Sequence, residues 1–152
     1  MPHAKRKSRK IYKNLSHTPQ LAEGVSMLSI LKDFLLRPKS VTPPGRITSQ
    51  KVDLKSLSSE KPAVIWFGHS SYLIHCKGKN ILVDPVFSGS ASPFSFYIKA
   101  FPGSDAYKPA DMPVIDILII THNHYDHLDL KTISALSPRT RTFIMPSGVK
   151  KY

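Results

Sequence analysis

His122, His124, Asp126 and His127 put three imidazoles and a carboxylate into one short stretch, Thr121-His122-Asn123-His124-Tyr125-Asp126-His127-Leu128-Asp129. Borderline metal ions such as zinc take imidazole nitrogen and carboxylate oxygen as ligands. His122 and His124 are separated by one residue, so in an extended or tightly turned loop both rings can grip one ion. Asp126 and His127 are adjacent and can face a neighbouring ion. Two ions about 3.5–4 Å apart can share a water, lower its pKa and stabilise charge on an attacked group. A lone loop histidine is usually only a polar surface residue. Three of them with an aspartate at this spacing point to a metal site.

Such a loop needs a rigid support. Val114-Ile115-Asp116-Ile117-Leu118-Ile119-Ile120 directly precedes it and has the length and composition of a buried strand. Upstream, Ala63–Phe67 reads as a short apolar strand and Gly68-His69-Ser70 as a turn. Ser71–Cys76 alternates, with Tyr72, Ile74 and Cys76 on one side and Leu73 and His75 on the other. Lys77-Gly78-Lys79-Asn80 closes a hairpin into Ile81-Leu82-Val83-Asp84. Pro85 to Pro113 is a long proline- and aromatic-rich segment, and loops of that length are often functional. Asp129 is placed to cap a short helix with Leu130, Ile133 and Leu136 on its inner face. Thr142–Met145 begins another strand, which Pro146-Ser147-Gly148 ends. Strands followed by strand, helix, strand make a mixed α/β layer structure.

The remainder of the chain is of a different character. Its formal charge is +12, from 22 Lys and Arg against 10 Asp and Glu. Lys5, Arg6, Lys7, Arg9, Lys10 and Lys13 all precede the first acid, Glu23. Residues 1–19 therefore read as a basic tail, either merely solvated or drawn to an anionic surface. No apolar run follows the charges, which argues against a secretory signal, and no stretch has the length of a transmembrane helix. From Gln20 to Leu36, Leu21, Val25, Leu28, Leu31 and Leu35 recur at helical spacing, with Pro38 beyond. That helix could pack on the domain or lie on a membrane interface. Val41–Ser59 is rich in Pro, Ser and Lys and reads as a linker. The single cysteine, Cys76, excludes an intramolecular disulfide and fits a reducing compartment.

His122-x-His124-x-Asp126-His127 resembles the signature of the metallo-β-lactamase superfamily. Trp66-Phe67-Gly68-His69-Ser70-Ser71-Tyr72-Leu73-Ile74, Ile81-Leu82-Val83-Asp84-Pro85-Val86-Phe87 and the histidine loop follow in that order. With Ala91-Ser92-Pro93, they resemble the branch containing N-acylphosphatidylethanolamine-hydrolysing phospholipase D. The resemblance covers roughly residues 61–152. It implies an αβ/βα sandwich, of which these residues would form the first half behind a basic N-terminal extension. The chain would then divide into a tail (1–19), a helix and linker (20–60) and the half-domain (61–152). An uncovered inner sheet face, exposing apolar surface, would follow.

By the same resemblance, His122 and His124 ligate the first zinc. Asp126 and His127 ligate the second and are the candidate catalytic residues. Iron and manganese are alternative metals. Asp84 matches an outer carboxylate able to hold a ligand imidazole in one tautomer, against the plainer reading of a turn residue before Pro85. Asp129 either braces the loop or caps the helix. His69 either lines the pocket or is structural. Tyr125 either contacts substrate or packs, and His75 has no expected catalytic role.

The family completes its site with a later histidine, a bridging aspartate and a last histidine. After His127 this chain has no histidine, and Asp129 is its only carboxylate. A fragment of a longer enzyme, an inactive or interacting short product, and a site completed by a homo-oligomeric partner are the competing expectations. The implied activity is phosphodiester hydrolysis in N-acyl phospholipids, with a phospholipid or other phosphate-bearing substrate. Lactone hydrolysis of sugar phosphates is the alternative. The expected location is cytoplasmic, with peripheral membrane contact. The charge raises nucleic-acid binding as a rival, but the cations concentrate in the tail and no recognised nucleic-acid module is visible.

Overall fold

A computed structural model of the chain describes residues 15–19, 21–92 and 98–151. The basic cluster from Lys5 to Lys13, with Phe94, Phe96 and Tyr97 of the long segment, lies outside the described residues. The chain divides into two compact units, residues 1–42 and 43–152.

The first unit holds helix α1, Met27–Leu35. It starts later than the apolar spacing suggests. Ser26 and Ser29 form a reciprocal cap, each side-chain oxygen accepting from the other's amide at 3.1 Å. That cap fixes the first turn at Met27, and Gly24 before it takes a left-handed φ of 77°. Leu21 and Val25 therefore fall outside the helix, while Leu28, Leu31 and Leu35 fall inside it.

The second unit is built on one five-stranded sheet in the order β1-β2-β3-β4-β5. The strands are β1 Ala63–Gly68, β2 Ser71–Cys76, β3 Lys79–Val83, β4 Ile115–Ile119 and β5 Thr140–Ile144. The first three form an antiparallel meander, while β3, β4 and β5 are mutually parallel. Lys77 and Gly78 make the β2–β3 turn with φ of 48° and 70°. Two successive left-handed residues match the twist of a tight hairpin, so the turn is shorter and β3 starts earlier than expected.

Helix α2, Leu130–Leu136, connects β4 to β5. Its buried residues are Thr132 and Leu136, with Ile133 packed on the core, while Leu130 is exposed. The expected inner face is thus rotated. The Asp129 carboxylate binds the Thr132 amide and hydroxyl at 3.2 and 2.6 Å, which turns Thr132 inward.

One face of the sheet is covered. Ile65, Leu73, Leu82, Leu118 and Phe143 stand side by side across all five strands. They join Leu54, Phe87, Tyr107, Met112 and Leu136 in the core. Burying each such side chain contributes roughly 1.5–3 kcal/mol. Phe87 and Tyr107 of the long segment meet the Phe67 ring at 5.3 and 4.8 Å, so they serve packing. The Pro/Ser-rich stretch before β1 has no helix or strand from residue 42 to 62, yet it is anchored: Leu54 is buried and the Val52 amide donates to the Tyr107 hydroxyl at 2.9 Å.

The other face carries two apolar rows. One is Val64, Ile74, Ile81 and Ile117; the other is Trp66, Tyr72, Val83, Ile119 and Ile144. Val64 and Trp66 are each 69% exposed and Ile144 is 49% exposed. The exposed apolar surface expected of this face is there.

Candidate metal centre

Three strand ends meet at one edge of the sheet. β1, β3 and β4 point the same way, so their carboxyl ends lie together. His69 follows β1, Asp84 follows β3 and the histidine loop follows β4. Mixed α/β sheets hold ligands at this edge because the loops there can converge while the strands stay rigid.

Asp84 is the pivot. Its amide donates to the Ile119 carbonyl at 2.9 Å, extending the β3–β4 ladder by one residue. Its φ of 42° then lifts the side chain out of the strand pattern. The residue is 1% exposed. Oδ1 accepts from the Thr121 amide at 2.8 Å, and Oδ2 accepts from the Thr121 hydroxyl at 2.6 Å. Oδ2 also lies 2.8 Å from His127 Nδ1. A carboxylate only accepts, so His127 Nδ1 carries the hydrogen and Nε2 is left as a lone-pair donor.

The loop curls back on itself. The amides of His127 and Leu128 both donate to the His124 carbonyl, at 3.0 and 2.7 Å. This brings the His127 ring to 3.9 Å from the His122 ring, centroid to centroid. His122 Nε2 lies 3.1 Å from His124 Nδ1. Thr121 Oγ1 gives its hydrogen to Asp84 and accepts from His122 Nδ1 at 3.0 Å.

On the other side of His127, Asp126 Oδ2 is 2.9 Å from His69 Nε2 and 3.7 Å from His127 Nε2. The ligand atoms of His69, Asp126 and His127 all lie within 4.8 Å of one another.

The protonation states suit ligation. Burial holds the His122 pKa below its ordinary value, aided by the neighbouring His127 and His124, while Asp84 and Asp126 pull the other way. Burial pushes the Asp126 carboxyl up, but a backbone hydrogen bond at Asp126, then His127 and His69, outweigh it and leave the pKa lowered. Imidazole nitrogens, an ionised carboxylate and a ring fixed in a donor-ready tautomer fit a divalent metal ion.

The structure therefore brings His122, His124, Asp126 and His127 together and sets Asp84 behind them. Asp129 goes elsewhere: besides capping α2 it accepts from the Ser88 amide at 2.9 Å. It braces the segment after β3 rather than a histidine ring. Tyr125 is 57% exposed. His75 Nδ1 engages Asn80 Oδ1 at 2.7 Å. Sequence reasoning passed over Thr121. Its signal is its place as the residue between the buried strand and His122, where a hydroxyl can reach both neighbours.

Residues 63–149 match the family described as the beta-lactamase superfamily domain. An uncharacterized protein of Mycobacterium tuberculosis is 32% identical over 121 residues, which cover 79% of this chain and 32% of that protein. The N-acyl-phosphatidylethanolamine-hydrolyzing phospholipase D 1 of Caenorhabditis elegans is 35% identical over 95 residues, 57% of this chain and 25% of the relative. A metal-dependent hydrolase of Aeropyrum pernix is 34% identical over 74 residues, 48% of this chain and 25% of the relative. The chain spans about a third or less of the length of these curated relatives.

Proposed function

From the premise that this chain belongs to the metallo-β-lactamase superfamily, we propose that it furnishes part of the metal centre of a metal-dependent hydrolase acting on phosphodiesters of N-acyl phospholipids. The observation that carries the metal reading is the convergence of His122, His124, Asp126 and His127 at one sheet edge, with Asp84 Oδ2 2.8 Å behind His127 Nδ1. The worm phospholipase supports the substrate class and the archaeal relative supports hydrolysis.

His122 and His124 would hold one ion, and Asp126 and His127 a second. A bound metal supplies Lewis acidity, which acidifies water and neutralises charge developing on the attacked phosphoryl group. Zinc is the metal we propose. Asp84 keeps the His127 ring in one tautomer and one orientation, so that Nε2 rather than Nδ1 faces the ion. Asp126, ionised at neutral pH, adds negative charge that favours cation uptake. His122, His124, Asp126 and His127 are part of the donor set of a closed two-metal site, since no histidine follows His127 and the one later aspartate, Asp129, is engaged with Thr132 and Ser88. The basic cluster from Lys5 to Lys13 suits an anionic membrane surface, which fits peripheral contact at the cytoplasmic face. No described helix is long and apolar enough to cross a membrane.

Zinc titration by calorimetry tests the metal reading. Saturable uptake should be cut when His122→Ala and His124→Ala are combined; uptake unchanged by that pair would sink it. The substrate class is tested on the full product of the gene with vesicles of N-acylphosphatidylethanolamine. Release of phosphatidic acid supports it, whereas turnover of a phosphorylated sugar lactone in its place overturns the choice.

A further inference from the structure

None of the nine residues of α1 is buried. Met27, Leu28, Ile30, Leu31, Phe34 and Leu35 are all exposed, from 41% at Ile30 to 76% at Leu28. A contiguous apolar patch left in water marks a surface made for a partner or a membrane. We propose that α1 lies flat in the headgroup boundary of an anionic lipid bilayer, with these six side chains immersed. The inference rests on the reading of peripheral membrane contact above, and on neither the metal ligands nor the substrate class. It moves that contact from the basic cluster alone to a defined element.

The first argument is the shape of the helix. At 3.6 residues per turn, Ile30, Phe34, Met27, Leu31, Leu35 and Leu28 follow one another around an arc of about 160°. Ser29 and Asp33 take the opposite side. One unbroken apolar arc facing one polar arc is the pattern of a helix that lies at an interface. Nine residues rise only about 13 Å, far short of a bilayer core, so α1 can lie along a membrane but not cross it.

The second argument is charge, which selects the occupant. Lys32 stands at one border of the apolar arc, next to Leu28 around the helix. Arg37 stands at the other, its guanidinium 4.9 Å from the Phe34 ring centroid. Cations at such borders lay their stems along the apolar layer and carry their charge into the headgroups. Residues 1–42 hold nine Lys and Arg against only Glu23 and Asp33. Each cation held near an anionic leaflet adds to the attraction. A second copy docked on the same face would instead bring like charges together, which opposes pairing.

Sedimentation of the 152-residue chain with phosphatidylcholine vesicles, with and without phosphatidylglycerol, tests the proposal. Leu31→Ser combined with Phe34→Ser should lower partitioning onto the phosphatidylglycerol vesicles at least about tenfold. Lys32→Gln with Arg37→Gln should leave the apolar arc intact and cut the preference for anionic over neutral vesicles at least about fivefold. Amide hydrogen exchange on the wild-type chain supplies a readout free of substitutions: α1 should gain protection only when anionic vesicles are added. Unchanged partitioning of the Leu31→Ser, Phe34→Ser chain overturns the inference and leaves the basic cluster as the sole membrane contact. Protection of α1 without vesicles overturns it too. If that protection is independent of concentration, the helix packs on its own chain; if it grows with concentration, a second copy covers it. A wild-type chain that binds neither vesicle removes peripheral contact altogether, while the zinc titration still decides the metal reading on its own.

Discussion

The two pairs in the histidine loop are built differently. His127 is anchored: its side chain is 14% exposed and its Nδ1 meets a carboxylate with 2% side-chain exposure. Asp126 beside it touches His69 from another strand. His122 and His124 lean mainly on each other and on the Thr121 hydroxyl. The second pair is preorganised by the fold, whereas the first is held by local contacts within its own loop. Preorganisation should show in both stability and metal affinity, local contacts in metal affinity alone.

Asp84→Ala should have the largest effect. It removes a buried acceptor serving the Thr121 amide, the Thr121 hydroxyl and His127 Nδ1. Leaving those donors without a partner should cost about 3 kcal/mol in the metal-free protein, read from the denaturant midpoint. Zinc affinity at the His127 site should fall about 10–100-fold. A loss under about 0.5 kcal/mol would mean that the second pair is no better anchored than the first.

Thr121→Val sharpens the contrast. It deletes one hydroxyl bond to Asp84 and leaves the backbone bond in place. The expected loss is about 1 kcal/mol, with a modest drop in affinity at both pairs, since the hydroxyl touches His122 as well. His122→Ala with His124→Ala should move stability by no more than about 0.5 kcal/mol while removing one equivalent of zinc. A large stability loss there would show that the first pair is also part of the frame.

Local patterns carried much of this into the sequence. Five strands, the hairpin and the capped α2 follow from alternation, apolar runs and turn residues, and the histidine loop declares its chemistry by composition. What escaped depends on choices between near-equal local options, or on distant pairing. The start of α1 hinged on a serine pair that could cap at Ser26 only. The outward turn of Leu130 followed from Asp129 claiming Thr132, a competition invisible to apolar spacing. His69 reaches Asp126 through a bulge that no periodicity encodes. Thr121 meets Asp84, 37 positions earlier, because Asp84 lies just past the end of the adjacent strand.

The smallest expected effect is also the most direct reading of the first pair's electrostatics. Burial and the nearby rings lower the His122 pKa from an ordinary value of 6.5. Between that value and the folded-state pKa, the unfolded chain carries a proton that the folded chain lacks. Stability must therefore rise with pH across that window and fall as acid is added below 6.5. Asp126 has the same sign in a separate window, because its lowered carboxyl contributes stability that is lost only below its ordinary 3.8. Denaturation of the metal-free protein at a series of pH values should thus show two acid-side declines. His122→Ala should flatten the upper one and leave the lower one in place. If the upper decline survives that substitution unchanged, the proton is taken up elsewhere, and burial with the neighbouring His127 and His124 rings does not hold His122 neutral.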